Sequence, residues 1–202
     1  MNPRRLAVPV IALALAVTLT ACTDGGIVTT TPSPTLATTA PSATPSASPS
    51  LGPLTDAELL ALMPPEAALD DVRGAVATAK FFLEQYPVVY ETGDLRVWDA
   101  LSMPDCVFCE SVRSDVVATF ADGDYVTGGL ITIDETRIEA NYFPDDGYTY
   151  VTLPTDVSPS TVHHADGSTS PGTKGGAGST SFRMSFNGST WTVVGVGTER
   201  DS

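Results

Sequence analysis

Cys106 and Cys109 form a Cys-x-x-Cys pair, and Cys22 is the only other cysteine in the 202-residue chain. Because the N-terminus carries the features of an export signal, we expect the pair to close as a structural disulfide. Two alternatives stay open. A Cys-x-x-Cys pair at a helix start can exchange disulfides through a thiol of lowered pKa, and with two further ligands it could bind a metal. We predict the disulfide, with no metal site and no cofactor.

Other side chains could also do chemistry, but each has a simpler interpretation. Adjacent strand residues point to opposite faces, so His163 and His164 do not form a metal site together. We predict that they lie at an exposed strand end rather than act as a catalytic base. Asp94 and Asp99 are interpreted as a helix cap and a surface residue. The run at 174–178, KGGAG, lacks the spacing of a phosphate-binding loop. No catalytic residue is predicted.

The N-terminus begins with a charged segment and an apolar core. Arg4 and Arg5 precede an uncharged apolar run over 6–19, which is too short to span a membrane comfortably. The segment at 19–22, LTAC, resembles a bacterial lipobox, so we predict cleavage of a lipoprotein signal peptide (1–21) and lipidation of Cys22. The alternative is a plain secretory signal with an incidental cysteine. The predicted location is the extracytoplasmic face of the cell membrane, where the lipid on Cys22 is the anchor.

A tether is predicted over 22–53, because residues 25–53 carry no charge and are rich in Thr, Ser, Pro and Ala. Such a segment stays disordered with polyproline-II character, and at ~3.1 Å per residue it reaches about 90 Å from the membrane. Loss of Arg4 and Arg5 with the signal leaves 8 basic and 24 acidic side chains, a net charge of −16. This charge repels nucleic acid, which we exclude as a partner.

The first half of the remaining domain, 54–202, has helical periodicity. The residues at 55–58, TDAE, form a capping box for a short helix. A longer helix is predicted over 70–86. Pro87 interrupts it, and helical character resumes over 88–90 before a turn at Gly93; a third helix is predicted over 95–101. A fourth should follow the Cys106/Cys109 loop and begin at Cys109, with Gly123 just beyond its end. The positions predicted to face inward are Val72, Ala75, Val76, Ala79, Phe82, Leu83, Tyr86, Val112, Val116, Val117 and Phe120.

From Tyr125 the apolar period changes to two, which predicts strands. One strand covers 130–142. A second, or two short ones, covers 148–164, where the prolines favour an edge or a bulge. A glycine-rich loop follows at 165–178. The last two strands, 181–186 and 191–196, form a hairpin across Asn187-Gly188. Helices followed by about four antiparallel strands indicate an α+β domain in which a curved sheet wraps around the helices.

This order is similar to that of the NTF2-like (cystatin-like) cone fold. The segments that carry a narrower resemblance are Phe81-Phe82, Tyr86, Tyr90, Thr92-Gly93-Asp94, Leu101-Ser102, Cys106-x-x-Cys109 and Ala121-Asp122-Gly123. They resemble a family of actinobacterial lipoproteins catalogued only as a domain of unknown function. The resemblance covers about 72–196 and departs at the glycine-rich loop. It implies a fold and a cellular location, and no catalytic residues.

In NTF2-like enzymes the cone holds apolar ligands. The aromatic candidates for the lining of such a pocket are Phe82, Tyr86, Tyr90, Trp98 and Phe186, although packing in the core is the preferred interpretation. We therefore expect a non-catalytic binding or interaction module whose partner is an envelope protein or a small apolar ligand. The alternatives are an enzyme that uses the cone pocket for proton transfer, and a thiol-disulfide exchange protein that uses Cys106 and Cys109.

Overall fold

The computed structural model of the protein describes residues 52–201. The predicted signal peptide, Cys22 and all but the last two residues of the predicted tether lie outside this range. None of the helices within it combines the length and the apolar character needed to cross a membrane.

The helices occupy the first half of the described chain. They are α1 (Asp56–Leu62), a 3-10 turn (Pro65–Ala68), α2 (Val72–Thr92), α3 (Arg96–Leu101) and α4 (Val107–Ala121). The capping box predicted at the start of α1 is confirmed. The Thr55 hydroxyl accepts a hydrogen bond from the Glu58 amide, and the Glu58 carboxylate accepts one from the Thr55 amide at 2.9 Å. These bonds satisfy two of the amides that a helix start leaves unpaired.

Helix α2 runs through Pro87 without a break, so the predicted interruption is wrong. Burial of Leu83 before the proline and Val89 after it holds both halves in one helix, and this outweighs the lost amide donor. The helix ends at Gly93, whose φ of 71° allows its amide to donate to the Val89 carbonyl at 2.9 Å. The buried face also differs slightly from the prediction: it is centred on Ala75 and Ala79, with Val72 and Val76 at its margin.

Helix α4 begins earlier than predicted. Cys106 is its N-cap residue and Cys109 lies in its first turn, so the cysteine pair belongs to the helix rather than to a preceding loop. Val112 and Val116 face the core as predicted. Val117 does not, because its side chain is 51% exposed. Position 117 lies about 100° around the helix from Val116, just beyond the packed face.

The strands form two antiparallel sheets rather than one. The larger contains β2 (Ile131–Ile133), β3 (Glu139–Phe143), β4 (Tyr148–Val157), β7 (Gly176–Phe186) and β8 (Trp191–Arg200). Its order is β2-β4-β7-β8, and β3 pairs with the same edge of β4 as β2 does. The smaller contains β1 (Tyr125–Gly128), β5 (Ser160–His163) and β6 (Thr169–Pro171), in the order β1-β5-β6. The prediction of about four strands describes the width of the larger sheet and misses the smaller one.

Strand β4 lies inside the larger sheet although it contains Pro154, so the predicted edge position is wrong. The reason is local. On one side of β4 the neighbouring strand changes from β2 to β3, and Pro154 faces the gap between them. Its carbonyl accepts from the Asp134 amide there at 3.0 Å. The Pro154 nitrogen, which carries no hydrogen, faces the same gap, so no hydrogen bond of the sheet is lost there.

The segment predicted as a glycine-rich loop is partly strand. It contains β6 and the first residues of β7, which begins at Gly176 and pairs with β4 over 176–184 and with β8 over 178–186. Glycine is required for the close approach of these chains: a Cβ at Gly178 would lie 2.2 Å from the Glu199 carbonyl oxygen. The hairpin across Asn187-Gly188 is confirmed, with longer strands than predicted.

The core lies between one face of the larger sheet and helices α2, α3 and α4. The fully buried sheet residues are Val151, Leu153, Phe182, Met184 and Val193, and the largest helix residues that share this core are Phe82, Trp98 and Leu101. An irregularity between Arg183 and Met184 shifts the β7–β8 register, which bends the sheet. The α+β fold class, with N-terminal helices packed on a curved antiparallel sheet, is confirmed.

Candidate functional site

A cavity of about 240 Å³ opens between the helices and one end of the larger sheet. The helix side is apolar: Leu83 and Tyr86 come from α2, Phe108 from α4, and Ile131 from β2. The Tyr86 and Phe108 rings lie nearly parallel, with centroids 6.4 Å apart. The opposite wall consists of the end of β4 and the paired ends of β7 and β8.

The sheet wall of this cavity is rich in hydroxyls. The hydroxyl-bearing residues on this side of the cavity are Thr155, Ser179, Thr180 and Thr198 in the larger sheet and Thr173 in the connection before β7. Glu199 and Arg200 also line the cavity, and both are exposed at its rim. An aromatic wall that faces a hydroxyl wall suits a small molecule with one apolar face and one hydrogen-bonding face.

The five aromatic residues considered for a pocket lining separate into different environments. Phe82 and Trp98 are core residues, at most 1% exposed, and stack at 4.1 Å. Tyr86 lines the cavity. The Tyr90 ring packs against the Tyr86 ring, with centroids 5.1 Å apart. Phe186 packs on Trp191 and does not line the cavity. Burial, then nearby Tyr86 and Asp115, raises the pKa of Tyr90, so its phenol keeps its proton at neutral pH.

The cysteine pair fixes the helix that carries Phe108. Cys106 and Cys109 are joined by a disulfide, and the two residues are only 1% and 2% exposed. The indole nitrogen of Trp98 donates to the Cys109 carbonyl at 3.1 Å, which ties α3 to the start of α4. The Met103 amide, just after α3, donates to the Val193 carbonyl of β8 at 2.9 Å. The pair is placed as a brace beside the cavity.

A second cluster lies at one end of the smaller sheet. His164 Nδ1 is 2.7 Å from Asp124 Oδ2, and His164 Nε2 is 2.8 Å from Ser170 Oγ. The other Asp124 oxygen accepts from the Ala165 amide at 3.0 Å. The hydrogen bond from His164, followed by that from Ala165, lowers the pKa of Asp124. The three side chains form a continuous Asp–His–Ser chain.

His163 points to the other face of the sheet, as its alternation with His164 predicts. Its Nε2 lies 2.8 Å from the Thr127 hydroxyl, and its ring stacks on Tyr125 at 4.5 Å. The predicted strand-end position is confirmed for both histidines, since β5 ends at His163, but the predicted exposure is wrong: both are partly buried and hydrogen-bonded. The sequence offers no spacing that would reveal this, because Asp124 and His164 are 40 residues apart.

The remaining carboxylates have structural partners. Asp94 Oδ1 accepts from the Arg96 amide at the start of α3, as a cap would, although Leu95 is the N-cap residue. The Arg96 side chain lowers the pKa of Asp94. Asp99 meets Arg113 at 3.2 Å and links α3 to α4, while burial raises its pKa. Within residues 52–201, no three His, Cys, Asp or Glu side chains are grouped to hold a metal.

The solved structures similar to this chain are distant in sequence. The intermembrane space region of chloroplast protein ARC6 is 9% identical, with 66% of this chain and 99% of that chain covered and a TM-score of 0.48. Aln2 from a Streptomyces species is 15% identical, with coverages of 66% and 94% and a TM-score of 0.41. An uncharacterized protein with a cystatin-like fold from Caulobacter vibrioides is 10% identical, with coverages of 64% and 91% and a TM-score of 0.40. No curated protein matches the chain.

The family comparison covers most of the described domain. Residues 62–197 match a family of unknown function, and this segment runs from the end of α1 into β8. It includes the cysteine pair, the Asp–His–Ser cluster and all of the cavity lining except the last residues of β8. The predicted resemblance to a family without an assigned activity is thereby confirmed. The chain belongs to the family of unknown function DUF6318.

Proposed function

We propose that this protein is a cell-surface lipoprotein whose domain binds a small, mostly apolar ligand in the cavity at Tyr86 and Phe108 without transforming it. In this proposal, Cys22 carries the lipid, the segment 22–53 holds the domain away from the membrane, and an envelope protein is the other partner class. The observation that carries the binding role is the two-sided cavity itself, with its parallel aromatic rings opposite a hydroxyl wall.

The character of the lining favours binding over proton transfer. The general base in such a site is a carboxylate or a histidine inside the cavity, with a pKa near neutrality. Among the residues that line this cavity, Glu199 supplies the carboxylate, and it is exposed at the rim. The thiol-disulfide alternative requires a reachable sulfur. Cys106 and Cys109 are buried within the core, and the Cys109 carbonyl accepts a hydrogen bond from the Trp98 indole, which favours a structural role.

Binding can be tested with N-phenyl-1-naphthylamine, a neutral apolar fluorophore of a size suited to the cavity. We expect saturable binding at one site on the full-length chain. The variant Thr198→Trp places a large ring in the cavity from an exposed position, so the fold tolerates it, and we expect at least about tenfold weaker binding, or 1.4 kcal/mol.

The matched control is Thr132→Trp. Thr132 is also an exposed strand threonine, but it does not line the cavity, so this variant should bind the dye like the wild type. Equal binding by all three proteins would place the dye elsewhere and contradict the proposal, as would the absence of saturable binding by the wild type.

A further inference from the structure

We propose that Ser170 is a reactive nucleophile for acyl transfer from carboxylic esters of small acyl groups, with His164 as its general base and Asp124 as the positioning residue. This site is separate from the cavity, and the inference goes beyond ligand binding. It rests on the hydrogen-bond chain Asp124–His164–Ser170, with contacts of 2.7 and 2.8 Å.

The contacts assign the protons. A carboxylate only accepts hydrogen bonds, so the short contact to Asp124 places a proton on His164 Nδ1. In the neutral ring this leaves Nε2 as an acceptor, directed at the Ser170 hydroxyl. A hydroxyl that donates to an imidazole held by a carboxylate is the arrangement that activates serine nucleophiles on unrelated folds.

The fold, rather than local sequence, holds the three side chains together. Asp124 immediately precedes β1, His164 immediately follows β5, and Ser170 lies in β6. The three strands are neighbours, and Tyr125 pairs with His163, so positions 124 and 164 lie across from each other. The Ala165 amide fixes the second oxygen of Asp124. The carboxylate is therefore held from both sides before any substrate binds.

A substrate can reach Ser170. The residue is partly exposed and lies on β6, one of the two outer strands of the smaller sheet. Ser168 and Gly172 flank β6, and both bond toward β5: the His164 amide donates to the Ser168 carbonyl, and the Gly172 amide donates to the Ser160 carbonyl. Ser170, two residues from each, therefore also turns its backbone toward β5. The amide of Thr169 consequently points to the outer edge, where it can donate to an oxyanion that forms beside Ser170.

The reaction needs no co-reactant other than water. Ser170 Oγ attacks the ester carbonyl carbon while its proton passes to His164 Nε2. The tetrahedral intermediate collapses, the C–O bond to the alcohol breaks, and the alcohol leaves with the proton from His164. Water then attacks the acyl-serine, giving one proton to His164, and collapse releases the acid as that proton returns to Ser170 Oγ.

The same sheet offers a matched control. Thr127 and His163 also form a hydroxyl–imidazole contact of 2.8 Å, but His163 stacks on Tyr125 and has no carboxylate partner in the described structure. The proposal therefore predicts that Ser170 reacts and that Thr127 does not.

The test uses the full-length chain, a fluorophosphonate probe and p-nitrophenyl acetate. We expect the probe to label Ser170, as located by peptide mass spectrometry, and the ester to be hydrolysed.

Ser170→Ala and His164→Gln should each lower hydrolysis at least about 100-fold. Asp124→Asn should lower kcat at least about tenfold with KM unchanged, because it misplaces the imidazole rather than the substrate. Thr127→Ala should leave both readouts at the wild-type level.

Circular dichroism of each variant separates loss of the fold from loss of reactivity. If Ser170→Ala does not fold, Ser170→Cys retains the position, and its alkylation by iodoacetamide should be at least about tenfold faster than that of the double variant that also carries His164→Gln. A folded wild type that leaves Ser170 unlabelled, or that hydrolyses the ester no faster than folded Ser170→Ala, overturns the proposal. Failure of dye binding in the cavity would not affect this result, since the two sites are separate.

Discussion

At the scale of single residues, Gly74 shows how a contact can override local preference. It lies inside α2, where alanine is favoured over glycine by about 1 kcal/mol. A Cβ at this position would lie 2.0 Å from the Leu69 carbonyl oxygen and 2.7 Å from the indole nitrogen of Trp191. That nitrogen donates to the same carbonyl at 2.7 Å, so an added methyl would strain the backbone and break a partly buried hydrogen bond.

We therefore expect Gly74→Ala to destabilise the protein by about 1–4 kcal/mol, since overpacking and the lost hydrogen bond outweigh the gain in helix propensity. Urea unfolding measures the change. Gly197→Ala in β8 is the control, because nothing lies within 4 Å of a Cβ there, and it should shift stability by less than about 0.5 kcal/mol. A neutral Gly74→Ala would show that Leu69 moves aside without cost.

Residue-level prediction from the sequence succeeded where the cause is local. The capping box at Thr55 and the left-handed turn at Gly93 follow from residue type and position alone. The Asp–His–Ser cluster could not be predicted in this way. Ser170 meets His164 only because β6 pairs with β5, and Asp124 joins them only because β1 pairs with the other edge of β5.

At the scale of elements, Pro87 in the middle of α2 is the clearest departure from local rules. A proline inside a helix lacks the amide that would bond the carbonyl four residues earlier, and its ring crowds that carbonyl, at a cost of ~3 kcal/mol. Proline also restricts the unfolded chain, which offsets about 0.4–1 kcal/mol of this cost. Replacement by alanine should therefore stabilise the protein by about 1–3 kcal/mol.

The expected gain can be measured by thermal and urea unfolding of Pro87→Ala. Val88→Ala is the matched control, because Val88 is the next residue, is 40% exposed and retains its backbone amide. It should change stability by less than about 0.5 kcal/mol. If Pro87→Ala is instead less stable than the wild type, the proline ring itself must contribute packing that exceeds the lost hydrogen bond.

Strand prediction was accurate for the β7–β8 hairpin, whose Asn-Gly turn is a local signal. It was less accurate for 130–142, which divides into β2 and β3 around a 3-10 turn at Glu135–Arg137. The run at 165–178 contains strand residues despite its glycines, because its pairing partners are distant in sequence. The cavity wall formed by 176–180 was missed for the same reason.

At the scale of the whole molecule, the order of helices before strands was enough to predict the α+β class. The apolar faces of α2 and α4 require another layer of structure to bury them. The period of two after Tyr125 predicts the strands that form this layer. The existence of a second sheet was not predictable, because β1, β5 and β6 are each at most four residues long and carry weak periodicity. That second sheet holds the proposed reactive serine, while the first holds the cavity.

The proposed anchoring of the whole molecule depends on Cys22, which lies outside the described residues. Since acyl chains contribute ~0.8 kcal/mol per buried methylene, the diacylglyceryl group of a lipoprotein would hold the chain on the membrane stably. It would do so despite repulsion by anionic headgroups of the net charge of −16 that cleavage of the signal peptide would leave. We expect the wild type, produced in a bacterium, to incorporate labelled palmitate and to sediment with membranes. Cys22→Ala should lose the label and the diacylglyceryl anchor, whereas Thr23→Ala, next to the lipobox, should keep both. Cys106 and Cys109, the remaining cysteines, are joined in a buried disulfide, so their sulfurs do not compete for the lipid. Equal palmitate incorporation by Cys22→Ala would rule out Cys22 as the lipidation site.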